Sequence, residues 1–308
     1  MNTYLIEHKI RTLAKLWKPC THDGYEFRQW DFTGPDGPIG DAWITRKTID
    51  ASTVVDAITG FRVELFRLLD RIAFISQCFT SAEFESFLIC KENNNPERVF
   101  FLNRSEEAAG VPLHFDDSEM AGLRKLDTFH EKGDVFRYIR EAGNATTHYT
   151  RLVMLISALE AIAGEKAGRK SHKETNKEYI RTEILKDDEL YKNIFDYGEG
   201  IRNRLLHGTK VDFDAEKHRD ISYVDRIYDA IVTYFNEKCG TNISTDVVNP
   251  QRIPYGNYQV QKVWLKPEQK GYVFELKTVL KQFTEQFKSD GKTSVPDHFE
   301  IVQMPPNY

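Results

Sequence analysis

Cysteine is scarce in this chain: Cys20, Cys78, Cys90 and Cys239 lie far apart and no two form a Cys-x-x-Cys pair. That spacing excludes a zinc ribbon and supports no disulfide framework, so reduced thiols in a cytoplasmic setting are expected. Long hydrophobic runs are lacking as well. The most apolar stretch, Leu152 to Ala163, is too short to cross a bilayer and contains Glu160, so no membrane partner is expected. Met1 to Arg11 holds no long apolar core ending in small residues, which argues against a secretory signal. Basic charge is not in excess: 42 Lys and Arg face 47 Asp and Glu, a formal charge of -5. A non-specific coat for nucleic acid needs many Lys and Arg contacts to phosphate and is thereby excluded, although a local basic site is not. Several chemistries are missing outright. There is no phosphate-binding loop ending in Gly-Lys-Ser/Thr, and Gly198-Glu199-Gly200 lacks the third glycine and the preceding strand of a dinucleotide site. There is no His-Glu-x-x-His, no metal-ligand spacing among the nine histidines, and no Gly-x-Ser-x-Gly elbow. Neither a metal nor a cofactor is therefore expected. Glycosylation triplets begin at Asn103, Asn144 and Asn242, but they carry little weight without a secretion signal.

What is present is a globular composition, 40% hydrophobic and 29% charged, in 308 residues, enough for two cores. From Tyr25 to Thr48, aromatic and β-branched residues are interrupted by Gly34, Pro35, Gly37, Pro38 and Gly40, the punctuation of strands and turns. Val54, Ile58, Phe61, Leu65, Leu68 and Ile72 keep helical spacing behind possible caps at Asp50 and Ser52. Phe74 to Cys90 and Val99 to Leu102 read as strands, joined by a turn at Asn93 to Pro96. Residues 1 to 122 are thus expected to form an α+β region. Residues 123 to 240 should form an all-α bundle, with Thr150 to Ala163 as its central helix and Val224, Ile227, Tyr228, Ile231 and Phe235 on a later one ended by Gly240. Residues 241 to 308 are expected to add a hairpin over Tyr258 to Phe274, a helix and an irregular tail.

The stretch Ile201-Arg-Asn-Arg-Leu-Leu-His-Gly208 stands apart from this frame. Leu190, Ile194, Tyr197, Ile201 and Leu205 recur at steps of three and four, predicting one helix with Tyr197 on its buried face, Asp187 and Asp188 at its start and Gly208 after its end. With Ile201 at zero, Arg202, Leu206, Asn203 and His207 fall at about 100°, 140°, 200° and 240°, all away from the buried stripe. A leucine between an arginine and a histidine on a polar face suggests a covering partner surface. Gly198 and Gly200 suit a kink or a close backbone approach. Glu160, in an otherwise apolar helix, needs Arg181 or Arg202 as a partner, or else lies near the helix end in water. Lys166, Arg169, Lys170, Lys173, Lys177 and Arg181 outnumber Glu165, Glu174 and Glu178 nearby; they form either a phosphate contact or a solvated charged loop. A histidine in a last helical turn also has a purely structural use, in favourable contact with the helix dipole.

Ser157-Ala-Leu-Glu-Ala161 on one bundle helix, followed by Arg202-Asn-Arg-Leu-Leu-His-Gly208 on a later one, resembles the HEPN superfamily, in particular its Apea-like ribonuclease branch. Members carry an arginine, four to six residues and a histidine, commonly with a polar residue directly after the arginine. Arg202, Asn203 and His207 match all three positions, and the resemblance spans roughly residues 125 to 240. It implies a metal-independent endoribonuclease, a cytoplasmic effector of prokaryotic antiviral defence or stress, with RNA as substrate. It also implies a homodimer through the motif helix, because the 2′-hydroxyl reaction needs an acid and a base and one motif offers one histidine. Arg202, Asn203 and His207 would be catalytic; Arg204, Lys170 and Lys173 would contact RNA; Glu160, Arg181 and Tyr197 would support them. The N-terminal region would sense an unknown trigger molecule. Non-catalytic HEPN modules that bind nucleotides or partner proteins form the alternative.

Overall fold

The computed structural model describes residues 1–30, 33–34, 37–38, 42–82, 86–92, 98–102, 114–129, 134–145, 147–167, 173–197, 200–207 and 219–245. The expected C-terminal hairpin, helix and tail, and the turn at Asn93 to Pro96, lie outside the described residues.

In chain order the strands are β1 (Asn2–Thr12), β2 (Lys15–Leu16), β3 (Cys20–His22), β4 (Tyr25–Trp30), β5 (Thr33–Gly34), β6 (Gly37–Pro38) and β7 (Ala42–Ala51). Helix α1 (Val54–Ser76) follows, then β8 (Thr80–Ser81), β9 (Ser86–Glu92), β10 (Arg98–Leu102) and β11 (His114–Phe115). The rest is helical: α2 (Asp117–Leu126), α3 (Val135–Asn144), α4 (His148–Ala167), α5 (Lys173–Tyr179) running into a π-helical segment (Ile180–Leu185), α6 (Asp188–Phe195), α7 (Ile201–Leu206) and α8 (Arg219–Cys239). An antiparallel sheet followed by helices is the α+β arrangement read from the sequence.

The described residues cluster into two units. In the first, the sheet runs β10-β9-β1-β7-β4-β3, with β1 between β9 and β7 and antiparallel to both. Alternation along β1 explains the central position. Tyr4, Ile6, His8, Ile10 and Thr12 are all buried on one face, and the opposite-facing Glu7 is satisfied by an ion pair to Arg46 on β7. The first part of α1 covers this face: the Tyr25 hydroxyl donates to the Phe61 carbonyl at 2.6 Å, and the His8 ring stacks on Phe61. Helix α1 is capped by Thr53, whose hydroxyl accepts from the Asp56 N–H at 3.1 Å, not by Asp50 or Ser52. It also continues through Phe74 to Ser76, where strand was expected, because the helical spacing persists into that apolar run.

His8 links this core to pH. Its Nδ1–H donates to the Lys9 carbonyl at 2.8 Å while burial, and secondarily the Arg62 guanidinium, push the imidazole down from 6.5 to about 3. The folded chain holds the ring neutral, whereas the unfolded ring takes up a proton below 6.5. Stability is therefore complete above that pH and declines as pH falls towards 3. His8→Leu is expected to cost stability at pH 7 but to reduce the loss between pH 7 and pH 4.5 by roughly 2 kcal/mol. Urea unfolding at both pH values measures this, and equal losses in the two proteins would exclude His8 as the cause.

The second unit comprises Arg67–Thr80 and Ala108–Tyr255, so it gathers the end of α1 and all of α2, earlier in the chain than the expected change near Leu123. Phe74, Phe129, Phe136 and Phe235 form its aromatic centre, with Phe235 ring centroids 5.3, 5.0 and 4.9 Å from those of Phe74, Phe129 and Phe136. Phe74, Phe136 and Phe235 sit on α1, α3 and α8 and Phe129 just after α2, which ties these helices together around Phe235. Helix α4 packs against α3, α5, α7 and α8 and is the central helix expected. It is buried along Leu152, Leu155, Ile156, Leu159, Ile162 and Ala163 and partly open on its other side, where Glu160 lies. Helix α8 buries Val224, Ile227, Tyr228, Ile231 and Phe235, and Gly240 at φ 69° ends it.

Candidate active site

The motif helix is not continuous with the helix before it. Helix α6 stops at Phe195 and α7 starts at Ile201, where one helix was expected across Asp187 to His207. Asp187 caps α6 by accepting from the Leu190 N–H at 2.9 Å, and it also pairs with Arg226 of α8. Burial acts to raise the Asp187 carboxyl, but the Leu190 N–H and Arg226 outweigh it and hold the group below its ordinary value.

The break is stabilised by hydrogen bonds around Asp196. Its carbonyl accepts from the Gly200 N–H at 3.1 Å and from Asn203 Nδ2 at 3.0 Å, while its carboxylate accepts from the Tyr197 N–H at 2.8 Å. Gly200, at φ -61°, is needed for space and not for conformation. A Cβ there would lie 2.6 Å from the Ile194 carbonyl oxygen and 2.7 and 2.8 Å from the Asp196 nitrogen and oxygen. Gly200→Ala is accordingly expected to lower stability by about 1–3 kcal/mol, because backbone cannot yield as a side chain can. Thermal unfolding would measure it, and an unchanged midpoint would mean that the turn has room to shift.

From this turn, α7 projects its residues as the helical angles predict. Ile201 is buried; Arg202 and Asn203 are half-buried; Leu206 is 57% exposed and His207 is exposed. Arg202 Nε donates to Glu160 Oε1 on α4 at 2.6 Å, and its Nη1 donates to Asn203 Oδ1 at 3.3 Å. Of the two partners open to Glu160, Arg202 is the one it has. Arg181 instead donates through Nε to Asp188 at 2.7 Å, and this bond and charge hold the Asp188 carboxyl down. Arg181 therefore braces the π-helical segment against α6 and does not support Arg202. Tyr197 is a second correction: it is 94% exposed, because the turn carries it off the stripe that a continuous helix would have buried. Lys170 and Gly208 lie outside the described residues, as does the side chain of Lys173, which opens α5.

No family model, curated protein or solved structure matches the chain.

A guanidinium has five N–H donors. Glu160 and Asn203 take one each, which leaves three for an anion, on a side chain 29% exposed and fixed from two sides. The Asn203 amide is committed on both atoms, to Arg202 and to Asp196, so it positions the arginine and the turn. His207 closes α7, its N–H donating to the Asn203 carbonyl at 3.0 Å, and its imidazole is on the exposed side. A fixed cation and a solvent-facing proton carrier on one short helix can bind a phosphate and exchange a proton with it. Asp196 is the participant that periodicity missed. An acidic residue before Tyr197-Gly198-Glu199-Gly200 is a turn signal that competes with the helical pattern. No helix among the described residues is long and apolar enough to cross a membrane.

Proposed function

We propose that this chain is a metal-independent endoribonuclease of the HEPN type, working as a homodimer. The observation that carries the reading is the Glu160–Arg202 ion pair at 2.6 Å, which joins the Ala-Leu-Glu helix to the Arg-x4-His helix that the resemblance was based on. In the reaction the 2′-hydroxyl oxygen attacks the adjacent phosphorus, its proton passing to one His207. The bond to the 5′-oxygen breaks as that oxygen takes a proton from His207 of the second copy. The free N–H groups of Arg202 bind the charged phosphorane oxygens. Asn203 positions Arg202, and Arg204 binds the RNA backbone. The exposed Leu206 becomes buried as the two copies of α7 meet. The products are a 2′,3′-cyclic phosphate and a free 5′-hydroxyl, so the electron and proton balance needs no other reactant. In this reading the protein is a cytoplasmic defence or stress effector, and the sheet-bearing region responds to a trigger molecule.

The test is cleavage of a labelled mixed RNA in excess EDTA by wild type, Arg202→Ala and His207→Ala. Cleavage by wild type alone, with cyclic phosphate ends, is expected. Equal cleavage by all three would overturn the reading, and absence of cleavage by wild type under every trigger condition would favour a binding module.

A further inference from the structure

We propose that Tyr197 is a stacking platform for a nucleobase of the RNA strand that crosses the α7 site; this rests on the ribonuclease reading and adds a binding residue to it. Tyr197 is as exposed as any large hydrophobic side chain of the described residues, at 94%. A side chain that loose would ordinarily gain little from a ligand, because ordering it costs entropy. Here the main chain beneath it is already ordered. Its own N–H donates to the Asp196 carboxylate, and the Asp196 carbonyl accepts from Gly200 and Asn203. A tyrosine has only two side-chain torsions to settle on binding.

Position supports the same use. Asn203 Nδ2 lies 3.0 Å from the oxygen of the peptide group that Asp196 shares with Tyr197. The Tyr197 Cα is therefore within roughly 6 Å of that amide, from the dimensions of a single peptide unit. Arg202 Nη1 in turn donates to Asn203 Oδ1 at 3.3 Å, so one amide links the backbone at Tyr197 to the phosphate-binding arginine. Charge decides which part of the nucleotide it meets. The Asp196 carboxylate at the root of the ring repels phosphate, so a base face rests there while the phosphate goes to Arg202. Aromatic stacking accepts every base, which suits a substrate held without base pairing.

The test measures binding of a labelled single-stranded RNA to His207→Ala, which keeps the RNA intact, and to the same protein carrying Tyr197→Ala, Tyr197→Leu or Tyr197→Trp. Tyr197→Ala and Tyr197→Leu are expected to weaken binding about 5- to 150-fold, and Tyr197→Trp to retain it. The slope of log affinity against log salt should stay unchanged, since no phosphate contact is lost. Affinity within twofold of the parent would overturn the proposal, as would a parent that binds no RNA. Loss of binding together with conversion to a monomer in sedimentation would also overturn it, making the ring a contact between copies. The two readings fail separately: RNA that is cut without need of Tyr197 removes only the platform, and RNA bound through Tyr197 but never cut removes only the nuclease.

Discussion

Replacing His207 by alanine is expected to slow RNA cleavage by at least about 10²–10⁴, the usual contribution of one positioned acid or base, since in the homodimer it removes both. The loss should fall on kcat and leave RNA affinity nearly unchanged, because His207 lies on the exposed side of α7 and has no part in holding Arg202. Arg202→Ala should weaken both kcat and affinity, since it removes the phosphate ligand and leaves Glu160 facing the RNA unpaired. Arg202→Lys should rescue little: an ammonium cannot meet Glu160, Asn203 and a phosphate at once as a planar fork does. The composite site adds a sharper consequence. If one copy supplies the base and the other the acid, a mixed dimer of wild type and His207→Ala is inactive, so excess variant should suppress wild-type cleavage. Independent sites would instead leave the wild-type share of activity intact. Titrating wild type with the variant, after enough time for subunits to exchange, distinguishes the two.

Asp70→Ala is expected to destabilise the helical unit by about 3–5 kcal/mol, as breaking a buried ion pair does. Asp70 on α1 and Arg140 on α3 are 8% and 9% exposed and meet at 2.5 Å. Arg140 keeps a second carboxylate, Glu141 at 3.0 Å, but that group is 43% exposed and cannot replace a buried partner. Burial raises the Asp70 carboxyl against the opposing pull of Arg140. Buried ion pairs are often replaceable by apolar side chains of similar volume at little cost. The double variant Asp70→Leu with Arg140→Met should therefore recover most of the loss, and thermal unfolding of the two singles and the double measures the coupling. A double variant as unstable as the sum of its singles would mean that Asp70 and Arg140 act independently and are not energetically coupled.

The legible part of the fold was the part governed by local periodicity. The helical spacing from Val54 to Ile72 and from Val224 to Phe235 appears as α1 and α8, and the Gly and Pro punctuation after Tyr25 lies among strands. Periodicity misled where two signals overlapped. The Leu190–Leu205 pattern satisfies a helix throughout, yet Asp196 and Gly200 form a turn inside it. The run after Phe74 looked like strand because apolar content alone does not separate a buried helix end from a strand.

The candidate site divides in the same way. Helical periodicity placed Arg202, Asn203, Leu206 and His207 on a face away from Ile201, because 3.6 residues per turn leaves little choice once a helix forms. For Glu160 it left two readings open, a cation partner or water near the helix end. Packing between helices chose the cation. The packing of α7 on α4 brings Arg202 to Glu160, while Arg181, equally suited by charge, is drawn to Asp188. The fold likewise decided that Tyr197 is outside and not in the core. The first depends on a contact between residues 160 and 202 and the second on a turn closed between 196 and 203, and a spacing rule within one helix holds no information about either.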